Sequence, residues 1–163
     1  MSSLKHKIKN REEAMKTCQS WRASNERIVF TNGCFDLIHP GHVIYLESAR
    51  ALGERLVVGI NSDASVKRLK GASRPVQEER ARALVLAGLA SIDLITIFDE
   101  DTPLELIKAI DPDILVKGGD WSTDQIVGGE YITEQGGMVK SLPFEEGYST
   151  TSIVEKIRKN ENQ

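Results

Sequence analysis

Cysteine is scarce in this chain: Cys18 and Cys34 are the two among 163 residues, with no CxxC and no metal-ligand spacing. Their scarcity excludes a disulfide framework or a thiolate metal site and fits a reducing compartment. Long apolar runs are missing too. None approaches the ~20 residues of a membrane span, and the polar N-terminus shows no signal-peptide apolar stretch. The expected location is therefore cytoplasmic, with no membrane partner. Nor is there an excess of positive charge: 24 acids face 21 bases, a net charge of −3. A global field for nonspecific nucleic-acid binding is thus lacking. The one basic cluster, Lys5, His6, Lys7, Lys9 and Arg11, reads as a solvated start. With five prolines, 40% hydrophobic and 28% charged residues, the composition is globular rather than disordered, collagenous or coiled-coil. No repeat, low-complexity tract or linker divides it. One domain, 1–163, is expected, with a helical extension (1–26) ahead of a core (27–157).

The apolar pattern alternates regularly. Ile28 to Thr31, Leu56 to Ile60, Ile92 to Phe98, Ile114 to Val116 and Met138 to Leu142 are continuous apolar runs of strand length, which implies burial on both faces. Between and around them helical patterns run over Asn10 to Ser24, His42 to Leu52, Asp63 to Leu69, Gln77 to Ala90, Pro103 to Ile110, Thr123 to Gln135 and Thr150 to Lys159. Asn10 with Glu13, and Thr102 with Pro103 and Glu105, read as capping boxes. Strands alternating with helical crossovers predict an α/β fold: a Rossmann-like, doubly wound, five-stranded parallel sheet. Ligands of such sheets bind beyond the carboxyl ends of the strands, where strand order reverses. Attention therefore falls on the loops Asn32 to Gly41, Asn61 to Ser62 and Lys117 to Ser122.

The strongest signal is the segment Thr31-Asn32-Gly33-Cys34-Phe35-Asp36-Leu37-Ile38-His39-Pro40-Gly41-His42, which passes from a buried strand into a helix N-terminus. Free backbone N–H groups and the positive dipole end favour phosphate there. Gly33 and Gly41 allow the main chain to approach a ligand, and Pro40 presets the first helical turn. His39 and His42, three apart, lie on one side of that turn and can donate to a phosphoryl group as charge builds on it. Read blandly, His39 caps the helix and His42 is a partly buried helix residue. Zinc is disfavoured by the spacing and the lack of a third ligand. Neither GxxxxGK[ST] nor GxGxxG is present, so the phosphate solution is a different one.

These residues resemble the cytidylyltransferase-like nucleotidyltransferases, whose signature joins GxFDxxHxGH after the first strand to a late STT segment. Here they are Gly33 to His42 and Ser149-Thr150-Thr151. Within that superfamily, Lys117-Gly118-Gly119-Asp120-Trp121, Asn61-Ser62-Asp63 and Lys70-Gly71 to Arg74-Pro75 look most like the D-glycero-β-D-manno-heptose 1-phosphate adenylyltransferases. The resemblance spans about Arg27 to Ile157 and implies the HxGH nucleotidyltransferase fold. It also implies an adenylyltransferase that moves AMP from ATP to the heptose 1-phosphate, giving ADP-heptose and pyrophosphate for lipopolysaccharide inner-core synthesis.

By the same resemblance His39, His42 and Lys70 are catalytic. Thr31, Asn32, Gly33, Cys34, Phe35, Gly41, Lys117, Gly118, Gly119, Asp120, Ser149, Thr150 and Thr151 hold the nucleotide. Asp36, Asn61, Asp63, Lys67, Arg74, Arg80 and Trp121 hold the second substrate, with Lys67 the alternative to Lys70 if the register is off by a turn. Mg²⁺ is expected to accompany ATP, its ligands unknown, with Asp36 either near it or capping the loop. A homodimer is expected. At 163 residues there is no room for the sugar kinase that some relatives fuse to this domain, so the 1-phosphate would come from another polypeptide. Phe144-Glu145-Glu146-Gly147-Tyr148 replaces the arginine context of the glycerol-phosphate cytidylyltransferases, which argues against CTP. The alternatives are another nucleotidyltransferase of this fold, such as one using CTP and glycerol 3-phosphate, and a nucleotide-binding regulator without turnover.

Overall fold

The computed structural model describes residues 3–161. Its strands are β1 (Ile28–Gly33), β2 (Arg55–Asn61), β3 (Leu94–Phe98), β4 (Ile114–Gly118) and β5 (Met138–Leu142). They form one parallel sheet in the order β3-β2-β1-β4-β5, so strand order reverses between β1 and β4. Alternation of side chains along each strand divides the core into two layers. Val29, Leu56, Val58, Ile60, Ile95 and Val116 pack on one face beneath α2 (Pro40–Arg50) and α4 (Glu79–Ala87). On the other, Ile28, Phe30, Val57, Leu94 and Leu115 meet α1 (Arg11–Ala23), α5 (Leu104–Ile110) and α6 (Gly129–Glu134). Each fully buried side chain of this size stabilises by roughly 1.5–3 kcal/mol. Two further helices, α3 (Asp63–Lys70) and α7 (Thr150–Glu161), stand beside the carboxyl ends of the strands. Among the described residues no helix is long and apolar enough to cross a membrane.

Local sequence explains the elements. Asn10 caps α1, accepting from the Glu13 N–H at 2.9 Å while the Glu13 carboxylate accepts from the Asn10 N–H at 3.1 Å. Ala14 and Cys18 carry this helix into the core. Ahead of it, Lys9 N–H donates to Ile95 O at 2.9 Å, which covers the β3 edge of the sheet.

Three expectations differ from the structure. The basic start is not simply solvated, since Lys7 Nζ donates to Leu89 O at 3.1 Å and Arg11 pairs with Glu100 at 2.5 Å. Pro103 is itself the residue before α5 and Thr102 makes no side-chain cap, because the first helical bond runs from Ile107 N–H to Pro103 O at 2.8 Å. The stretch Thr123 to Gln135 is not one helix but a 3₁₀ turn, Thr123–Gln125, followed by α6. The break is at Gly128, whose φ of +84° glycine adopts without the strain a side chain brings. A Cβ there would lie 2.7 Å from Ile107 Cδ1.

Candidate functional site

A cavity of about 460 Å³ opens at the carboxyl ends of β1 and β4. β1 pairs with β2 through Gly33↔Ile60, whereas its register with β4 stops at Phe30↔Leu115. The ends of these two strands, which carry Asn32, Gly33, Lys117 and Gly118, thus flank the opening. Two smaller cavities, of about 340 and 200 Å³, adjoin it through Asn32 and Lys117.

The histidines come together as the spacing predicts. Their rings stack with centroids 3.8 Å apart and planes 21° off parallel, and His42 lines the cavity with His39 behind it. Gly41 makes the stack possible, since a Cβ would stand 3.0 Å from His39 Cε1 and Nδ1. The His39 N–H donates to His42 Nδ1 at 3.4 Å, which assigns the neutral ring's proton to Nε2. Burial, then the charges of His39 and Lys70, push His42 down to about 4, and burial lowers His39 as well. His42 is therefore a neutral donor near pH 7. His39 Nδ1 is buried with no hydrogen-bond partner among the described residues. Phe35, at φ +47°, brings its ring 5.3 Å from His42 in an edge contact.

Of the other expected residues, Asn32, Gly33, Cys34, Phe35, Asp36, Lys70, Arg74, Lys117, Gly118, Thr150 and Thr151 line the same cavity. Thr150 Oγ1 donates to Leu37 O at 3.4 Å, which fastens the start of α7 to the HxGH loop. Ser149 lies outside and caps α7 by accepting from Ser152 N–H at 3.0 Å. Lys70, at the end of α3, faces the opening while Lys67, one turn earlier, does not.

Several of the expected residues have their side chains tied into the scaffold. Thr31 is fully buried, its hydroxyl 2.6 Å from the Tyr45 hydroxyl, whose burial pushes its pKa up to about 12. Asp36 is buried and committed to the next loop: it accepts from Arg74 Nη1, Val76 N–H and Gln77 N–H, each at 2.9 Å. Burial alone would raise its pKa, but the bonds to Gln77, Val76 and Arg74 outweigh it and hold the carboxyl below its ordinary value. Asn61 is buried and donates to Ser65 Oγ at 3.0 Å, while it also lines the cavity of about 340 Å³. Asp63 pairs with Arg82 at 2.8 Å. Arg80 and Asp120 are exposed and line no described cavity. Gly119, at φ +110°, turns the chain after β4, and Trp121 is 47% exposed, its Nε1–H donating to Gly118 O at 3.1 Å. It lines the 200 Å³ cavity, so it is neither a core plug nor part of the main pocket.

Four residues escaped the sequence reading. Tyr45, one turn beyond His42, Ser73 and Phe144 line the cavity. Arg82 is fully buried and holds the surrounding loops through Cys34 O at 2.6 Å, Asn61 O at 2.8 Å, Asp63 Oδ1 at 2.8 Å and Gln77 O at 3.1 Å. The i, i+3 spacing from His42 points to Tyr45, and Phe144, just past the end of β5, falls under the strand-end rule. No comparable signal marks Arg82.

Known proteins resemble this chain over most of its length. The chain is 54% identical over 151 residues to the "Bifunctional protein HldE" of Magnetococcus marinus, matching 93% of this chain and 31% of that one. It is 59% identical over 138 residues to the protein of the same name from Rhodopseudomonas palustris, matching 85% and 28%. It thus spans about a third of the length of these curated relatives. Among solved structures, the lipopolysaccharide core biosynthesis protein of Thermoplasma volcanium superposes with a TM-score of 0.60 at 28% identity, covering 76% of this chain and 99% of that one. The cytidylyltransferase-like family model matches residues 30–156, which take in both histidines, the β4 loop and the start of α7, and the chain belongs to that family.

Proposed function

We propose that this chain is an adenylyltransferase that moves AMP from ATP to D-glycero-β-D-manno-heptose 1-phosphate, releasing pyrophosphate and giving ADP-heptose. One observation carries the reading: a single cavity gathers His42, Lys70, Lys117 and the Thr150 and Thr151 hydroxyls at a helix N-terminus. All are groups that hold phosphate. The ADP-heptose assignment is supported by the sequence motifs and by the likeness to a lipopolysaccharide core biosynthesis protein.

In this reaction an oxygen of the sugar phosphate bonds to the α-phosphorus while the bond from that phosphorus to the β-phosphate oxygen breaks. No nucleophile of the protein takes part. Rate comes from positioning and from donors aimed at the developing charge. His42 Nε2–H serves as such a donor, its ring fixed by the stack on His39 and by the His39 N–H. Lys70 and Lys117 neutralise the phosphates as they crowd together, and an anion bound beside His42 raises the proton affinity of its ring.

Among the described residues no three His, Cys, Asp or Glu side chains are grouped to hold a metal ion, and the Asp36 carboxylate is already engaged by Arg74 and two amides. These residues do not form a cage for resident Mg²⁺. The Mg²⁺ that arrives with ATP is part of the substrate, its ligands phosphate oxygens and water. Two free thiols and the use of ATP suit a reducing cytoplasm.

The test is a pyrophosphate-release screen of four nucleotides against a panel of sugar phosphates. ATP with the heptose 1-phosphate should give ADP-heptose, and glycerol 3-phosphate should react poorly. Equal or better turnover with CTP, or reaction of another acceptor in place of the heptose, moves the assignment to a different branch of the family.

A further inference from the structure

Phe144 is 61% exposed and lines the cavity of about 460 Å³. Its ring is seated on bare backbone. A Cβ on Gly118 would fall 2.6 Å from its Cε1 and 2.9 Å from its Cζ, and one on Gly119 would fall 3.2 Å from its Cε2. Tyr45 meets it from within the cavity, with centroids 6.2 Å apart and planes at 51°. The ring is therefore positioned by the two glycines while much of its surface is open to solvent. The cationic and hydroxyl groups, Lys70, Lys117, Thr150 and Thr151, line the same cavity. A ligand matching this wall carries phosphates at one end and a flat aromatic group at the other. Trp121 is no substitute, since its indole N–H is tied to Gly118 O at 3.1 Å and it faces the neighbouring cavity.

We propose that Phe144 is the platform on which the base of a nucleoside triphosphate stacks, and that Gly118 and Gly119 lack side chains so that the platform can lie flat. The proposal rests on the reading of the cavity as a nucleotide site. Stacking rewards overlapping ring area, so a purine gains more than a pyrimidine.

The experiment compares two probes, ATP and inorganic tripolyphosphate, by calorimetry on the wild type, Phe144→Ala, Phe144→Trp and Gly118→Ala. Loss of base stacking weakens binding by roughly 5- to 150-fold. Phe144→Ala should therefore bind ATP at least fivefold more weakly, bind tripolyphosphate within twofold of wild type, and melt at the wild-type temperature because the side chain is mostly exposed. Phe144→Trp should keep ATP affinity. Gly118→Ala, which pushes the ring off its seat, should show the same selective loss as Phe144→Ala. Unchanged ATP binding in Phe144→Ala, or equal weakening of both probes, overturns the platform and leaves the nucleotide reading intact. Failure of the wild type to bind either probe overturns the nucleotide reading and the platform with it.

Discussion

Replacing Arg82 by methionine isolates the work of one buried charge. The methionine fills much of the same space, so the loss comes from bonds rather than from an empty cavity. Four acceptors lose their donor: the carbonyls of Cys34, Asn61 and Gln77, and Asp63 Oδ1. An unpaired buried carbonyl costs about 1 kcal/mol or somewhat more. Removing one partner of a buried ion pair costs about 3–5 kcal/mol in all. The Asp63 side chain is 32% exposed, so water solvates the abandoned carboxylate and the ionic part falls toward the low end. A total of about 3–4 kcal/mol follows, a large share of the ~5–15 kcal/mol that holds a domain together. Urea unfolding should show it as a lower midpoint at constant slope, and at about 2–4 °C per kcal/mol for this chain length the melting temperature should fall by roughly 6–16 °C. A variant within about 1 kcal/mol of wild type would refute the reasoning, because the desolvation of the guanidinium would then match everything it binds.

His42→Ala should fold and lose roughly 10² or more in kcat, the scale for removing one donor to a transition state, and His39→Ala, which takes away the ring stacked on His42, should fold and lower kcat by a smaller factor; steady-state kinetics on the folded variants decide it. Lys70→Ala should raise the KM for the phosphorylated substrates tenfold or more while Lys67→Ala changes it less than twofold, since Lys70 alone of the two faces the cavity. Because the His42 pKa is about 4 in the folded protein against an ordinary 6.5, the unfolded chain binds the extra proton between those values. Stability should thus decline as pH falls from about 6.5 toward 4. His42→Gln should flatten part of that slope in urea midpoints measured across the range, and an identical slope would dismiss the cause.

What the sequence disclosed followed from burial. Continuous apolar runs such as Leu56 to Ile60 carry their strand signal without reference to any partner, and all five strands lie where such runs occur. The rule that ligands of such sheets bind beyond the carboxyl ends of the strands picked out the loops after β1 and β4, and Asn32, Gly33 and Lys117 do line one cavity. The misses share a different origin. Arg82 faces the core from an amphipathic helix, where a charged residue is read as solvated until its acceptors, distant in sequence, are known. Thr31 sits inside a motif whose neighbours touch the cavity, yet its own side chain turns to Tyr45, and Asp36, though it lines the cavity, commits its carboxylate to Arg74 and two amides. Motif membership fixes where the backbone runs and leaves open which side chains reach the ligand. The break at Gly128 depends on Ile107, twenty-one positions away, and no local window contains it.

The short seam between β1 and β4 has a mechanical meaning. Six residue pairs bind β1 to β2, but two bind it to β4, so the sheet is a three-stranded ribbon and a two-stranded ribbon joined over a brief length. A ligand lodged between Asn32 and Lys117 acts as the missing rungs, touching both ribbons where they are least attached to each other. Its binding energy is then also cohesion of the sheet. Amide hydrogen exchange along Val29 to Gly33 and Ile114 to Gly118 should slow together when the cavity fills, and amides of β3, at the far edge, should respond least.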